Sequence, residues 1–293
     1  MGMVSAAILA SAMGACDGRD MGARGGGGVT GRGLARIVSW ATAASGASVH
    51  RGDALARAIA RREEWRRGRE VVLRDDFGET AHFREANAAL PRPAPGEKRV
   101  VFIGDSITAG WPLERSFPGR GYINRGISGQ TTSQVLVRFR QDVIDLTPAA
   151  VVILLGTNDI AGNTGPIALV DIQRNLASLV ELAQAHDIAV ALCSVLPVHG
   201  YTPEGEASLP LRPPERIVEL NRWLAAHAVE HALTFIDYFS AMVDERGFLK
   251  KELATDGRHP NEAGYAIMAS LAQAALVTTL GSASPHSQRP GPF

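Results

Sequence analysis

A serine that is to attack a carbonyl needs a base to take its proton and a group to hold that base. It also needs donors for the oxyanion that forms. This chain offers such a set at separated points. Ser106 follows the apolar run "VVFIGD", Gly129 lies in "GISGQTT", Asn158 in "GTND", and Asp256 and His259 in "TDGRHPN". His259 can serve as base, and Asp256, three residues earlier, can fix the imidazole tautomer. Gly257 and Pro260 restrict the intervening turn enough to bring both side chains together. The backbone N–H groups of Ser106 and Gly129 and the Asn158 side-chain amide are the candidate oxyanion donors. Taken singly each has a blander reading: turn residues at a strand end, a helix start at Gly129, an N-cap ahead of "EAGYAIM". Taken together and in order, those readings explain little.

Such residues must be held by elements that end near one another. Apolar, β-branched runs occur at 99–104, 149–156, 187–197 and 233–237, with a weaker one at 121–126. Helix-period segments at 131–146, 169–185, 214–231 and 262–280 lie between and after them. Strand and helix in alternation predict a parallel sheet with helices on both faces, and continuous apolar runs predict strands buried on both sides. In such a sheet the ligand site lies beyond the carboxyl ends of the strands. Ser106, Gly129, Asn158 and the Asp256–His259 pair all follow predicted strands, so the pattern places them at one edge.

These four blocks, in this order over residues 98–280, resemble the SGNH hydrolase superfamily, the GDSL-type esterases and lipases. "GDSIT" matches the first block with Ser106 as nucleophile, and "GISGQTT" matches the second with Gly129. "GTND" matches the third with Asn158, and "DGRHPN" the last with Asp256 and His259. The first block carries Ile where the family's name has Leu. The resemblance implies a three-layer α/β/α, flavodoxin-like fold, two-step ester hydrolysis through an acyl-enzyme, and no metal or organic cofactor. Residues 1–97 lie outside it.

The 293 residues carry 30 basic and 30 acidic side chains, so net charge does not direct the protein to nucleic acid. The balance is uneven along the chain: residues 21–70 hold ten Arg against four acidic residues. That block reads as a solvated helix face. Two cysteines, Cys16 and Cys193, exclude a disulfide framework. Cys16 follows "MGMVSAAILASAMGA", an apolar stretch too short to span a bilayer and similar to an export signal, and "MGAC" approximates a lipoprotein box. The box departs from the usual pattern at Met13, and no basic residue precedes the apolar run. The expectation is a periplasmic protein, anchored through Cys16 if that box is read, with a cytoplasmic extension as the alternative and no stable membrane span. The predicted organisation is a signal-like segment and flexible linker to 52, a helical extension over 53–97, the catalytic domain at 98–280 and a disordered tail at 281–293.

For substrate, the loop 197–214 and the segment after Ser106 are expected to wall the pocket, with Trp111 and Tyr201 as aromatic faces and Phe117, Arg115 and His199 beside them. The absence of a long apolar lid favours small-molecule esters with short acyl groups, such as acetyl on a carbohydrate or other small alcohol. Lysophospholipase or thioesterase activity is the alternative, and a non-catalytic binding module on the same fold is a second. A rival of another class is "HAVEH", His227 to His231, which fits an inverted zinc-protease signature but lacks an identifiable third ligand.

Overall fold

A computed structural model describes residues 31–282, with side chains described for 52–281. The chain divides into two units, residues 1–48 and 49–293, and the sheet and cleft described below belong to the second. The signal-like segment with Cys16, and the tail from 283 onward, lie outside the described residues. A helix runs over Gly31–Asp75, so the flexible linker expected up to residue 52 is helical from Gly31. Composition misled here: Gly and Ser weaken a helix, but the Ala, Leu and Arg among them favour it.

Five strands, β1 (Val100–Gly104), β2 (Ile123–Gly126), β3 (Ala150–Leu154), β4 (Ala189–Cys193) and β5 (Thr234–Ile236), form one parallel sheet in the order β2-β1-β3-β4-β5. β1 pairs Val101 with Ile123 on one side and with Val151 on the other, and β3 pairs Val151 with Val190. Alternate residues of each strand feed separate cores. Val101, Ile103, Val151, Ile153, Val190 and Leu192 pack under the helices Thr132–Asp142, Leu169–Ala185 and Pro214–Glu230. Val100, Phe102, Val152, Leu154, Ala191 and Cys193 face the other way, onto Met268, Ala272 and Leu276 of the helix Glu262–Ser282. Burial on both faces is why the strands read as unbroken apolar runs rather than as alternations.

The strand order makes the chain leave β1 toward β2 and return to the opposite side of β1 as β3. That reversal opens a crevice at the carboxyl edge. The segment Glu262–Gly281 has the length and mean hydropathy, 1.4, of a membrane span. In the fold it is the helical layer over β4 and β5.

Candidate active site

The ends of β1, β2 and β3 and the turn before the helix Glu262–Ser282 deliver the components of the crevice. β1 stops at Gly104, and Asp105 caps the short helix Ser106–Ala109 by accepting from the Ile107 N–H at 2.9 Å. Ser106 is thereby fixed at the first helical position. Its side-chain Oγ lies 2.8 Å from His259 Nε2. His259 Nδ1 lies 2.6 Å from Asp256 Oδ2, and the other Asp256 oxygen accepts from the His259 backbone N–H at 2.9 Å. Burial pushes the Asp256 pKa up most strongly. The His259 hydrogen bonds and charge outweigh it and hold the carboxyl well below the usual range. An ionised carboxylate only accepts, so Nδ1 carries the proton and Nε2 is left to accept from the Ser106 hydroxyl.

Gly257 makes this turn possible. Its φ is +87°, and a Cβ there would stand 2.5 Å from the His199 carbonyl oxygen and 2.6 Å from Gly205 Cα. His199 N–H in turn donates to the Gly257 carbonyl at 2.9 Å. The Asp–His turn is therefore pressed against the 197–205 segment and locked there.

After β2, Gly129 adopts φ +81°, and a Cβ would meet the Trp65 ring at 2.5 Å. The positive φ disfavours any side chain, and one placed there would also push the ring aside. The following loop is fixed from β3: Asp159 accepts from the Thr132 N–H at 3.0 Å and from Thr132 Oγ1 at 2.5 Å, capping the helix Thr132–Asp142. Burial raises the Asp159 pKa to about 6 against these bonds. Neighbouring Asn158 is 4% exposed. Its orientation is set by its partners: Oδ1 accepts from Arg212 Nη2 at 3.0 Å, while Nδ2 donates to Asp105 Oδ2 at 3.2 Å and to the Gln130 carbonyl at 3.1 Å. A guanidinium cannot accept and neither oxygen can donate, so the amide has one permitted orientation. Among the described residues the N–H groups of Ser106 and Gly129 donate to nothing. Two free backbone donors thus stand at the crevice, with the Asn158 amide engaged beside them.

Ser106, Gly129, Asn158, Asp256 and His259 line one cleft of about 360 Å³. The expected aromatic walls do not. Trp111 is 3% exposed, stacks on Tyr265 and donates from Nε1 to Ser116 Oγ at 2.9 Å. Tyr265 in turn donates to the Ile107 carbonyl at 2.9 Å, so Trp111 packs beneath the serine turn rather than beside a substrate. Tyr201 donates to Asp244 Oδ2 at 2.6 Å and packs on His199 and Phe248, away from the cleft lining. Phe117 and His199 are buried, and exposed Arg115 pairs with Glu262. The 197–214 loop does reach the cleft, through Glu204, Ala207 and Arg212.

The remaining wall was not anticipated. Ala58, Arg61, Arg62 and Trp65 of the helix Gly31–Asp75 complete the cleft. A lone Trp in the polar run "REEWRRGRE", with no apolar period around it, was the available signal. Arg69 ties this helix down through Glu79, at 2.6 and 2.9 Å, and Glu79 accepts from Gln130 Nε2 at 3.0 Å. Gln130 Oε1 accepts from Arg138, which is fully buried and paired with Asp142 at 2.8 Å. The extension and the Gly129 loop therefore share one buried polar network.

His227, Glu230 and His231 do come together, with candidate ligand atoms within 4.8 Å of one another. They end the helix that leads into the start of β5, at the amino edge of the sheet and opposite Ser106. His227 stacks on Trp223. The cluster has no part in the chemistry of this cleft.

The model of the GDSL-like lipase/acylhydrolase family matches residues 102–267. The esterase TesA of Pseudomonas aeruginosa is 30% identical over 176 residues, 55% of this chain and 79% of its own length. The lipoprotein YqeF of Bacillus subtilis is 35% identical over 123 residues, 35% of this chain and half of that relative. A solved structure from Bacteroides fragilis, described as an acylhydrolase, shares 43% identity with a TM-score of 0.65, covering 70% of this chain and 99% of its own. The chain belongs to the GDSL-like lipase/acylhydrolase family, a family of carboxylic ester hydrolases within the SGNH superfamily.

Proposed function

We propose that the cleft hydrolyses esters of short acyl groups by a two-step acyl-enzyme route with Ser106 as nucleophile. The observation that carries this reading is the continuous chain from Ser106 Oγ to His259 Nε2 and from His259 Nδ1 to Asp256, beside two unengaged backbone N–H groups. Ser106 Oγ attacks the carbonyl carbon as its proton passes to His259 Nε2, and Asp256 stabilises the imidazolium. The oxyanion accepts from the Ser106 and Gly129 N–H groups, and Asn158 joins by sharing an amide proton now held by Asp105 or Gln130. Collapse breaks the ester C–O bond, and His259 returns the proton to the leaving alcohol. Water then attacks the acyl-enzyme with His259 as base, releasing the acid and restoring Ser106.

A cleft of about 360 Å³ with Arg61, Arg62, Arg212 and Arg258 in its walls suits acetyl or similarly small acyl groups on a carbohydrate or other small alcohol better than a long chain. The segment ending at Cys16 is read as an export signal, a reading that the name of the lipoprotein relative favours. The test is hydrolysis of 4-nitrophenyl acetate by wild type and Ser106→Ala purified side by side, followed by longer acyl esters. Turnover confined to wild type and falling with chain length supports the proposal. Equal activity in the two proteins, or faster turnover of long chains, overturns it.

A further inference from the structure

Arg62, Arg212 and Arg258 reach the cleft from three separate parts of the chain, and none has a carboxylate to itself. Arg212 is 4% exposed and donates only to uncharged oxygens: Thr157 Oγ1 at 3.1 Å, Ser208 Oγ at 2.9 Å and Asn158 Oδ1 at 3.0 Å. Arg62 makes no hydrogen bond or ion pair among the described residues. Arg258 donates to Ser208 Oγ at 3.2 Å, and its Nε stands 3.8 Å from Asp256 Oδ2, an oxygen already engaged by His259. The nearby acids are committed elsewhere. Glu204 pairs with Arg61 at 2.8 Å, Glu63 with Arg66 at 3.1 Å, and buried Asp105 accepts from Ile107 and Asn158.

Gathering guanidinium groups out of water is unfavourable unless an anion joins them. Arg212 and Arg62 both have lowered pKa values. Burial first, and then the charges of Arg258 and Arg62, bring Arg212 down to about 9. Burial and the charges of Arg258 and Arg66 lower Arg62 against the opposing pull of Glu63. A planar guanidinium pair suits carboxylate or phosphate oxygens in a bidentate grip.

We propose that this cleft selects esters carrying a carboxylate or phosphate, with Arg62 and Arg258 gripping the anion and Arg212 supplying charge behind them. The inference rests on the reading of this cleft as the site of ester hydrolysis. It deepens that reading by naming the substrate's second feature.

Matched pairs that differ only in charge test it. On the alcohol side these are 4-acetoxybenzoate against 4-acetoxybenzamide, with 4-acetoxyphenyl phosphate as the phosphate arm. On the acyl side the pair is mono-4-nitrophenyl succinate against 4-nitrophenyl butyrate. The expected result is that at least one anionic ester is favoured roughly 10- to 100-fold in kcat/KM. That ratio should shrink with added salt and collapse in both Arg62→Gln and Arg258→Gln. The favoured arm tells carboxylate from phosphate. Ratios near one for every pair, or a preference that survives both substitutions, overturn the proposal.

Calorimetry on Ser106→Ala with 4-hydroxybenzoate, 4-hydroxyphenyl phosphate and 4-hydroxybenzamide separates the two readings, because it needs no turnover. Tighter binding of an anion that depends on Arg62 supports the anion site even if the wild type hydrolyses nothing, in which case the esterase reading alone fails. Equal binding of all three counts against the anion site whatever the esterase does.

Discussion

The two sides of the cleft are built differently. On the sheet side, Ser106, Gly129, Asn158 and the Asp256–His259 turn are held by buried caps, by backbone hydrogen bonds and by glycines at positive φ. On the other side, Arg61, Arg62 and Trp65 stand on a helix whose hold on the body runs through the Arg69–Glu79–Gln130 chain. Trp65 is 42% exposed. The family match begins at residue 102 and leaves this helix out. The comparison teaches a division of labour: the proposed reacting groups are tied to strand ends and to one locked turn, where a shift of one ångström would cost rate. On the proposals made above, recognition falls to long side chains, Arg62 and Trp65 on the added helix and Arg258 beside His259.

If that division holds, substitutions of the reacting groups on the sheet side act on kcat, and those of Arg62, Trp65 and the cleft-facing Arg258 act on KM and on substrate choice. The largest effect is expected from Ser106→Ala or His259→Ala, a loss on the order of 10⁴-fold or more in kcat, with the double variant little worse than either single one. A helix-side variant with a comparable loss would break the comparison. Next comes Asn158→Ala, expected to lower kcat by about 10²- to 10³-fold with KM nearly constant, since one oxyanion donor is removed. An unchanged kcat would mean that the Ser106 and Gly129 N–H groups suffice and that Asn158 only braces Asp105 and Gln130.

A third test concerns stability. Burial, the largest influence, raises the Asp105 pKa to about 6, above its unfolded value near 3.8. The folded state then binds more protons between those values, so this group's contribution to stability is most favourable below pH 3.8 and is lost as pH rises through 6. Between about pH 4 and 7 wild type should lose on the order of 3 kcal/mol relative to Asp105→Asn in urea unfolding. Parallel pH profiles for the two proteins would show that Asp105 carries no such ionisation cost. The smallest effect is expected from Trp65→Ala, a rise in KM of about three- to tenfold at nearly constant kcat. A fall in kcat instead would mean that the Trp65 ring holds the Gly129 loop and so belongs with the sheet side.

Most of the sheet side could be read from the chain because each of its parts is local. A strand and the turn after it occupy consecutive residues, and "DGRHPN" carries base, acid and the enabling glycine within six. The parallel sheet was legible for a related reason, since short apolar runs alternating with helix-length segments imply crossovers between parallel strands. Trp111 and Tyr201 were misplaced because an aromatic residue near a catalytic turn carries no mark of the face it will take. In Trp111 the ring turned into the core under Ser106. The helix side was illegible because Trp65 meets Gly129 across 64 residues of chain, and Arg62 meets Arg258 across nearly two hundred. In sequence an Arg-rich helix looks alike whether its charges face solvent or a cleft.

Intact-mass analysis after treatment with a fluorophosphonate tests most directly the claim that Ser106 is a nucleophile activated by His259. The account predicts one phosphonate per chain, located on Ser106 by peptide mapping, absent in Ser106→Ala and formed far more slowly in His259→Ala. An adduct on another residue, or equal labelling of wild type and Ser106→Ala, would contradict it.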